Sequence, residues 1–107
     1  MDSSEEAISE MAERIKQAVD SDRIVLFGSR ARGTGDPQSD YDLLIVAPSP
    51  PPRWRRAVAI YALLAGMGVP KDIVWWTPQE VAEWRGVRSH FINTAPREGR
   101  ALYKKPA

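Results

Sequence analysis

Apolar residues near the start of the chain recur at helical spacing. They form one stripe, made of Ile8, Met11, Ala12, Ile15, Ala18 and Val19. This stripe predicts a helix over about residues 4–20, and Ser3 followed by Glu6 has the spacing of a capping box at its start. A second stripe is made of Trp54, Ala57, Val58, Tyr61, Leu64 and Ala65. It predicts a second helix over about residues 52–66.

Three short runs rich in apolar and β-branched residues predict buried strands. They are Arg23–Phe27, Tyr41–Ala47 and Asp72–Trp76. Between the first two, the residues from Gly28 to Ser39 include three glycines, a proline and several polar side chains. That composition predicts a loop or a single helical turn.

The last third of the chain predicts smaller elements. Thr77-Pro78-Gln79-Glu80 has the order of an N-cap, a proline at the first helical position and a capping-box acid, so a short helix should begin there. Residues 89–98 are only weakly helical because Pro96 interrupts the pattern. Residues Ala101–Tyr103 predict a brief last strand.

The composition predicts one domain over residues 1–107, with a catalytic core over about 23–103. The absence of cysteine excludes disulfides, thiolate metal sites and a cysteine nucleophile, and the single histidine, His90, cannot form a metal cluster alone. No apolar stretch approaches the roughly 20 residues of a membrane helix, and the acidic start is unlike a signal peptide. We therefore expect a cytoplasmic protein without a membrane partner. The net charge of +1 gives no sign of nucleic-acid binding.

The glycine-rich turn that follows the first strand is a candidate phosphate-binding site. Its letters, G-S-R-A-R-G-T-G, fit neither a Walker P-loop nor a dinucleotide fingerprint. They do offer Gly28 without a Cβ, the Ser29 hydroxyl and backbone N–H groups, all of which can bind phosphate. Arg30 and Arg32 add positive charge, of which at most one should face the phosphates. The alternative is an ordinary turn at the end of a strand.

Asp40 and Asp42 form a pair of carboxylates at the start of the second strand. Because side chains two residues apart in a strand project to the same face, the two carboxylates should lie together and repel each other. A divalent cation between them would compensate, and magnesium prefers such oxygen ligands. The alternative is that Asp40 caps a turn while Asp42 is exposed at the strand edge.

Asp72 opens a strand rich in isoleucine, valine and tryptophan, where an acid is disfavoured unless something requires it. Three aspartates at the starts of strands, Asp40, Asp42 and Asp72, suggest one site. Two-metal phosphoryl chemistry uses this set of carboxylates. Taken alone, Asp72 is typical of a turn residue, and only the combination with the other two aspartates indicates a site.

Together, Gly28-Ser29, the spacing to Asp40-Tyr41-Asp42, the L-L-I-V segment after it and the later Asp72 resemble the DNA polymerase β-like nucleotidyltransferase superfamily. The small size, the G-S-R-A-R-G segment and the ending R-E-G-R-A-L-Y are similar to the minimal nucleotidyltransferases of that superfamily. The resemblance runs from about Ile24 to Tyr103. It implies an α+β fold with a small mixed sheet and helices packed on one face.

The resemblance also implies roles for the site residues. Gly28, Ser29 and Arg30 would bind the nucleotide, with Ser29 contacting its β- or γ-phosphate. Asp40 and Asp42 would ligate two magnesium ions, and Asp72 would bind the catalytic ion and help to deprotonate an acceptor hydroxyl. ATP would be the substrate and pyrophosphate the leaving group.

Minimal nucleotidyltransferases are often encoded beside a HEPN-domain toxin, and some transfer AMP to a tyrosine of that toxin. The resemblance therefore implies an antitoxin that acts by AMPylation of a HEPN partner. Two alternatives stay open. The protein could be a noncatalytic antitoxin that acts by contact alone, or a nucleotidyltransferase that modifies a small-molecule hydroxyl. Nucleic-acid binding is disfavoured because the basic residues form no dense run.

Overall fold

A computed structural model describes residues 3–33, 39–49, 52, 54–87, 94 and 97–106 of the chain. Helices and strands follow one another as α1 (Ser3–Ala18), β1 (Arg23–Phe27), α2 (Ser29–Arg32), β2 (Tyr41–Val46), α3 (Arg55–Leu63), β3 (Lys71–Trp76), α4 (Pro78–Glu83) and β4 (Arg100–Lys104). All four strands begin and end within one residue of their predicted bounds. The predicted weak helix over 89–98 and the side chain of Ser3 lie largely or wholly outside the described residues.

The strands form one mixed sheet in the order β3-β2-β1-β4. β1 pairs antiparallel with both β2 and β4, whereas β2 and β3 run parallel. The parallel pair requires a crossover, which α3 supplies. This arrangement confirms the expected α+β fold with a small mixed sheet. Among the described helices, none combines the length and apolarity needed to cross a membrane.

Because successive side chains of a strand point to opposite faces of the sheet, the buried residues form two clusters, one on each face. One face packs against α1 and α3, and its buried residues include Ile24, Leu26, Leu43, Ile45 and Ile73, with Met11 and Ile15 from α1 and Ile60 from α3. The other face carries a smaller cluster of Val25, Leu44 and Val46, against which Val81 of α4 packs. Asp42 and Asp72 share the parity of the second cluster and so project to that face.

The apolar stripe that predicted α3 is divided between two sides of the helix, and only part of it packs on the sheet. The core side is made by Ile60 and Leu64, which are buried, with Ala57 packed beside them. Trp54, Val58 and Tyr61 are exposed instead. The sequence pattern is ambiguous because apolar residues occur on two adjacent sides of this helix, and only one of them meets the sheet.

The start of α4 is fixed by the predicted capping box. The Thr77 hydroxyl accepts a hydrogen bond from the Glu80 N–H (3.2 Å), and the Glu80 carboxylate accepts one from the Thr77 N–H (2.8 Å). Glu80 also accepts from Arg56 of α3, at 2.5 Å. The capping box therefore satisfies the N–H groups of Thr77 and Glu80, and the ion pair between Arg56 and Glu80 links α4 to α3.

A bidentate ion pair connects the first helix to the last strand. Both terminal nitrogens of Arg100 donate to the two oxygens of Glu5, at 2.7 and 2.9 Å. The hydrogen bonds from Arg100 hold the pKa of the Glu5 carboxyl below its ordinary value of 4.5. Glu5 therefore stabilises the fold above that pH, and the contribution is lost as the pH falls through the lowered pKa.

We expect Glu5→Gln to reduce the loss of stability between pH 6 and about 3.5, because the carboxylate at position 5, which pairs with Arg100, is no longer there to be protonated. The effect should be small since the pair is exposed and screened by solvent. Denaturant midpoints at the two pH values measure it. Glu6→Gln, one residue along the same helix and exposed, is the control and should follow the wild type. Identical pH profiles for all three proteins would show that the Glu5 pair does not couple stability to pH.

Candidate active site

Gly28 directly follows the first strand and lies against Asp42. Phe27 is the partner of Asp42 in the antiparallel ladder, so the residue after Phe27 lies next to that carboxylate. Gly28 has φ 76° and ψ −161°, a conformation available essentially to glycine alone. A Cβ at this position would overlap the Asp42 carboxylate. Glycine is thus required both for the backbone turn and to leave room for Asp42.

Asp42 and Asp72 are brought side by side by the parallel pairing of β2 and β3. Their Cα atoms are register partners, one residue inside the start of each strand. Neighbouring strands lie about 4.8 Å apart, and partners in register point to the same face. The sequence predicted that these two carboxylates share a site, and the register provides the juxtaposition. Asp42 is half-buried and Asp72 is exposed.

Asp40 lies just before β2, which begins at Tyr41. Its side chain is exposed. The period-two argument that pairs Asp40 with Asp42 applies only inside a strand, and Asp40 is one residue outside it. Its role as a third carboxylate stays a prediction.

Ser29 and Arg30 form the first turn of α2, which confirms the single helical turn predicted after β1. The Arg30 guanidinium is held by protein groups: its Nε donates to the Ser39 carbonyl at 3.1 Å, and its Cζ lies 4.1 Å from the centre of the Tyr41 ring. Tyr41 projects to the face opposite Asp42, because the two are adjacent in the strand. Arg30 therefore anchors α2 to the start of β2. Its predicted contact with phosphate stays a prediction.

Tyr61 of α3 is a site residue that the sequence reasoning missed. Its hydroxyl accepts a hydrogen bond from the Ile73 N–H at 3.0 Å and lies 3.4 Å from Asp72 Oδ1, to which it donates. β3 is an edge strand, so Tyr61 covers part of a free edge while contacting the carboxylate. Its sequence signal, an aromatic residue in an apolar stripe, is the same as that of a core residue.

We expect Tyr61→Phe to lower the free energy of unfolding by about 1 kcal/mol, because the Ile73 N–H loses its acceptor. The ring is retained, so packing should change little. Urea unfolding measures the loss, with Tyr103→Phe as the matched hydroxyl deletion in β4, for which we expect a smaller change. Equal stability of Tyr61→Phe and the wild type would contradict the assigned hydrogen bond.

The donor chemistry of the aspartates fits a hard divalent cation such as magnesium, which prefers carboxylate oxygens. The register supplies two such groups on adjacent strands. No group of three or more carboxylate or imidazole side chains close enough to hold a metal is present in the described parts of the chain. The observed arrangement is thus a pair, Asp42 and Asp72, with Asp40 outside it.

Two cavities lie elsewhere in the molecule. One, of about 380 Å³, is lined by Arg23, Val46, Arg85 and Lys104 among others, at the opposite ends of β1 and β2 from the aspartates. A second, of about 540 Å³, adjoins the capped start of α4. Neither is lined by Gly28, Asp42 or Asp72. We place the candidate site at Asp42 and Asp72 and not at either cavity, because these paired carboxylates can bind a metal ion or accept a proton.

Comparison with known proteins identifies the family of the chain. Residues 8–98 match the family model described as Nucleotidyltransferase domain. The matched segment contains Gly28, Asp42 and Asp72. No curated protein matches the chain.

Proposed function

This chain belongs to the nucleotidyltransferase domain family, and from that premise we propose that it transfers AMP from ATP to a tyrosine hydroxyl of a HEPN-domain toxin. On this proposal it is the antitoxin of a cytoplasmic toxin–antitoxin pair and forms a hetero-oligomer with its target. The nucleotidyl transfer in this proposal is supported by one observation: Asp42 and Asp72 are register partners, beside a glycine that leaves room for the Asp42 side chain.

The turn from Gly28 to Arg30 binds the triphosphate in this proposal. Backbone N–H groups and the Ser29 hydroxyl can donate hydrogen bonds to phosphate oxygens. Gly28 allows the backbone to approach the ligand closely, since it has no Cβ. Because Gly28 also contacts Asp42, the phosphates and the carboxylates would meet at one point.

The residues that would hold magnesium are Asp40, Asp42 and Asp72. When bound, two ions would neutralise charge on the phosphates and on the attacking and leaving oxygens. Asp72 takes the proton of the acceptor hydroxyl as the hydroxyl oxygen attacks the α-phosphorus. A new oxygen–phosphorus bond forms, the bond to the β-phosphate oxygen breaks, and pyrophosphate leaves.

A protein acceptor is supported by the position of Asp72. Its side chain is exposed, and it lies on β3, which is at one edge of the sheet. Neither of the two cavities is lined by Asp72. Because small-molecule sites are concave, an open sheet edge suits an acceptor hydroxyl presented by another protein.

The proposed reaction is tested with magnesium, ATP labelled at the α-phosphate and the protein product of the neighbouring gene as the acceptor. Label and intact mass are followed on both proteins, with Asp40→Ala/Asp42→Ala as the control. We expect the partner to gain the mass of AMP with the wild type and none with the control. No transfer, together with equally tight partner binding by both variants, would favour an antitoxin that acts by contact alone.

A further inference from the structure

Helix α3 carries an exposed apolar stripe, defined here as the α3 stripe: Trp54, Val58 and Tyr61. Their exposed fractions are 69%, 58% and 38%. Spacings of four and three residues place the three side chains along one flank of the helix. Trp54, just before the first residue of α3, is the most exposed large apolar residue in the described part of the chain.

The α3 stripe is not a loosely packed part of the core. The side of α3 that faces the sheet is filled by Ile60 and Leu64, which are 1% and 0% exposed. No rotation of the helix could bury Trp54 without removing these residues from the sheet, because they lie on different sides of it. A tryptophan buries about 150–250 Å² when covered, so the stripe offers a substantial apolar area to another surface.

The α3 stripe is continuous with the candidate active site. Tyr61, at one end of it, lies with its hydroxyl 3.4 Å from Asp72 Oδ1. At about 1.5 Å of rise per residue, Val58 lies about 5 Å and Trp54 about 10 Å further along the helix axis. A surface seated on the stripe would therefore reach the carboxylate that takes the acceptor proton.

The shape and charge of this region favour a protein. A helix flank is convex, whereas small-molecule sites are concave and enclose most of their ligand. Arg55 stacks its guanidinium 5.2 Å from the centre of the Trp54 ring and makes no ion pair with any other residue that the structure describes. Its neighbour Arg56, in contrast, is paired with Glu80. A partner with an apolar patch and a carboxylate beside it would complement both Trp54 and Arg55.

We propose that the α3 stripe is the docking surface for the acceptor protein and that Arg55 meets a carboxylate of that protein. Docking there places the acceptor hydroxyl next to Asp72. The identity of the acceptor protein rests on the proposed function, and what is added here is the surface to which that protein binds. Trp54 is the anchor, since tryptophan and arginine dominate the binding energy of protein interfaces.

The test compares Trp54→Ser/Val58→Ser with a matched pair of exposed residues just after α4, Trp84→Ser/Val87→Ser. Binding of the protein product of the neighbouring gene is measured by calorimetry, and label transfer from ATP is measured in parallel. We expect the α3 variant to bind the partner at least about thirtyfold more weakly, the factor that corresponds to loss of one interface anchor. Its affinity for ATP should change less than about twofold, since neither residue contacts the carboxylates, and the α4 variant should behave like the wild type.

Docking and catalysis fail in different ways in this experiment. Binding that depends on the stripe, without any label transfer, would uphold docking and overturn the proposed reaction. Transfer at the wild-type rate by the α3 variant would uphold the reaction and overturn docking. Equal losses of binding in the α3 and α4 variants would also overturn docking. So would a wild-type protein that does not bind the partner at all. Sedimentation of the protein alone tests whether a second copy of this chain occupies the stripe. If the wild type and the α4 variant are dimers and the α3 variant is a monomer, the stripe is a dimer interface and the proposal is overturned.

Discussion

Asp42→Asn should lower the rate of nucleotidyl transfer by about a thousandfold, because a metal-binding carboxylate supports several kcal/mol of transition-state stabilisation. The amide has nearly the same size and shape as the carboxylate, so the half-buried side chain should still fit beside Gly28. The substitution removes only the negative charge beside Asp72. The measurement is the single-turnover rate of pyrophosphate release with saturating ATP, magnesium and acceptor protein.

Asp22→Asn is the matched control for this loss. Asp22 lies just before β1, at the opposite end of the strand from Gly28, so its charge is remote from the pair. The control should keep the wild-type rate within about twofold. If Asp42→Asn kept more than about a tenth of the rate, or if Asp22→Asn lost as much, the assignment of Asp42 to the chemistry would be wrong.

Gly28→Ala should damage both the fold and the reaction. The backbone conformation at φ 76° and ψ −161° costs an alanine about 1–3 kcal/mol. The added Cβ would also overlap the Asp42 carboxylate, so either the turn or the aspartate must move. A displacement of about 1 Å at a reacting centre costs about a hundredfold in rate. We therefore expect a lower urea midpoint and a transfer rate reduced at least that much.

Gly33→Ala separates the two causes. Gly33 also has a positive φ, 72°, but a Cβ there would meet no atom within 4 Å. Its left-handed conformation costs an alanine about 1–2 kcal/mol, so stability should fall while the transfer rate stays within a few-fold of the wild type. Equal rates for the Gly28 and Gly33 variants would mean that the contact between Gly28 and Asp42 has no part in the reaction.

Local patterns predicted the strands well because each is a short apolar run with a clear stop. Arg23–Phe27 ends at Gly28, and Lys71–Trp76 ends at the capping box of Thr77. The juxtaposition of Asp42 and Asp72 could not be read from the sequence with the same certainty. It depends on which strands pair, in which direction and in which register, and 30 residues separate the two aspartates. Only the combination of motifs suggested that they share a site.

The sequence was least informative on the side chains of α3 and α2. Tyr61 and Trp54 have the spacing of core residues, but one contacts Asp72 and the other is exposed, because the sheet is covered by Ile60 and Leu64 instead. The contacts of the Arg30 guanidinium with Ser39 and Tyr41 also could not be predicted from its place after the Gly-Ser turn. The spacing of residues along a helix does not show which of two adjacent sides of that helix will pack against the sheet.

The location of the nucleotide is the central claim, and a chemical-shift map tests it most directly. Isotope-labelled protein is titrated with magnesium and a nonhydrolysable ATP analogue while backbone amide signals are followed. We predict the largest magnesium-dependent shifts at Gly28, Ser29, Asp42 and Asp72. Shifts confined to the cavity at the other end of the sheet, at Arg23, Arg85 and Lys104, would contradict the assignment of the active site to the paired aspartates.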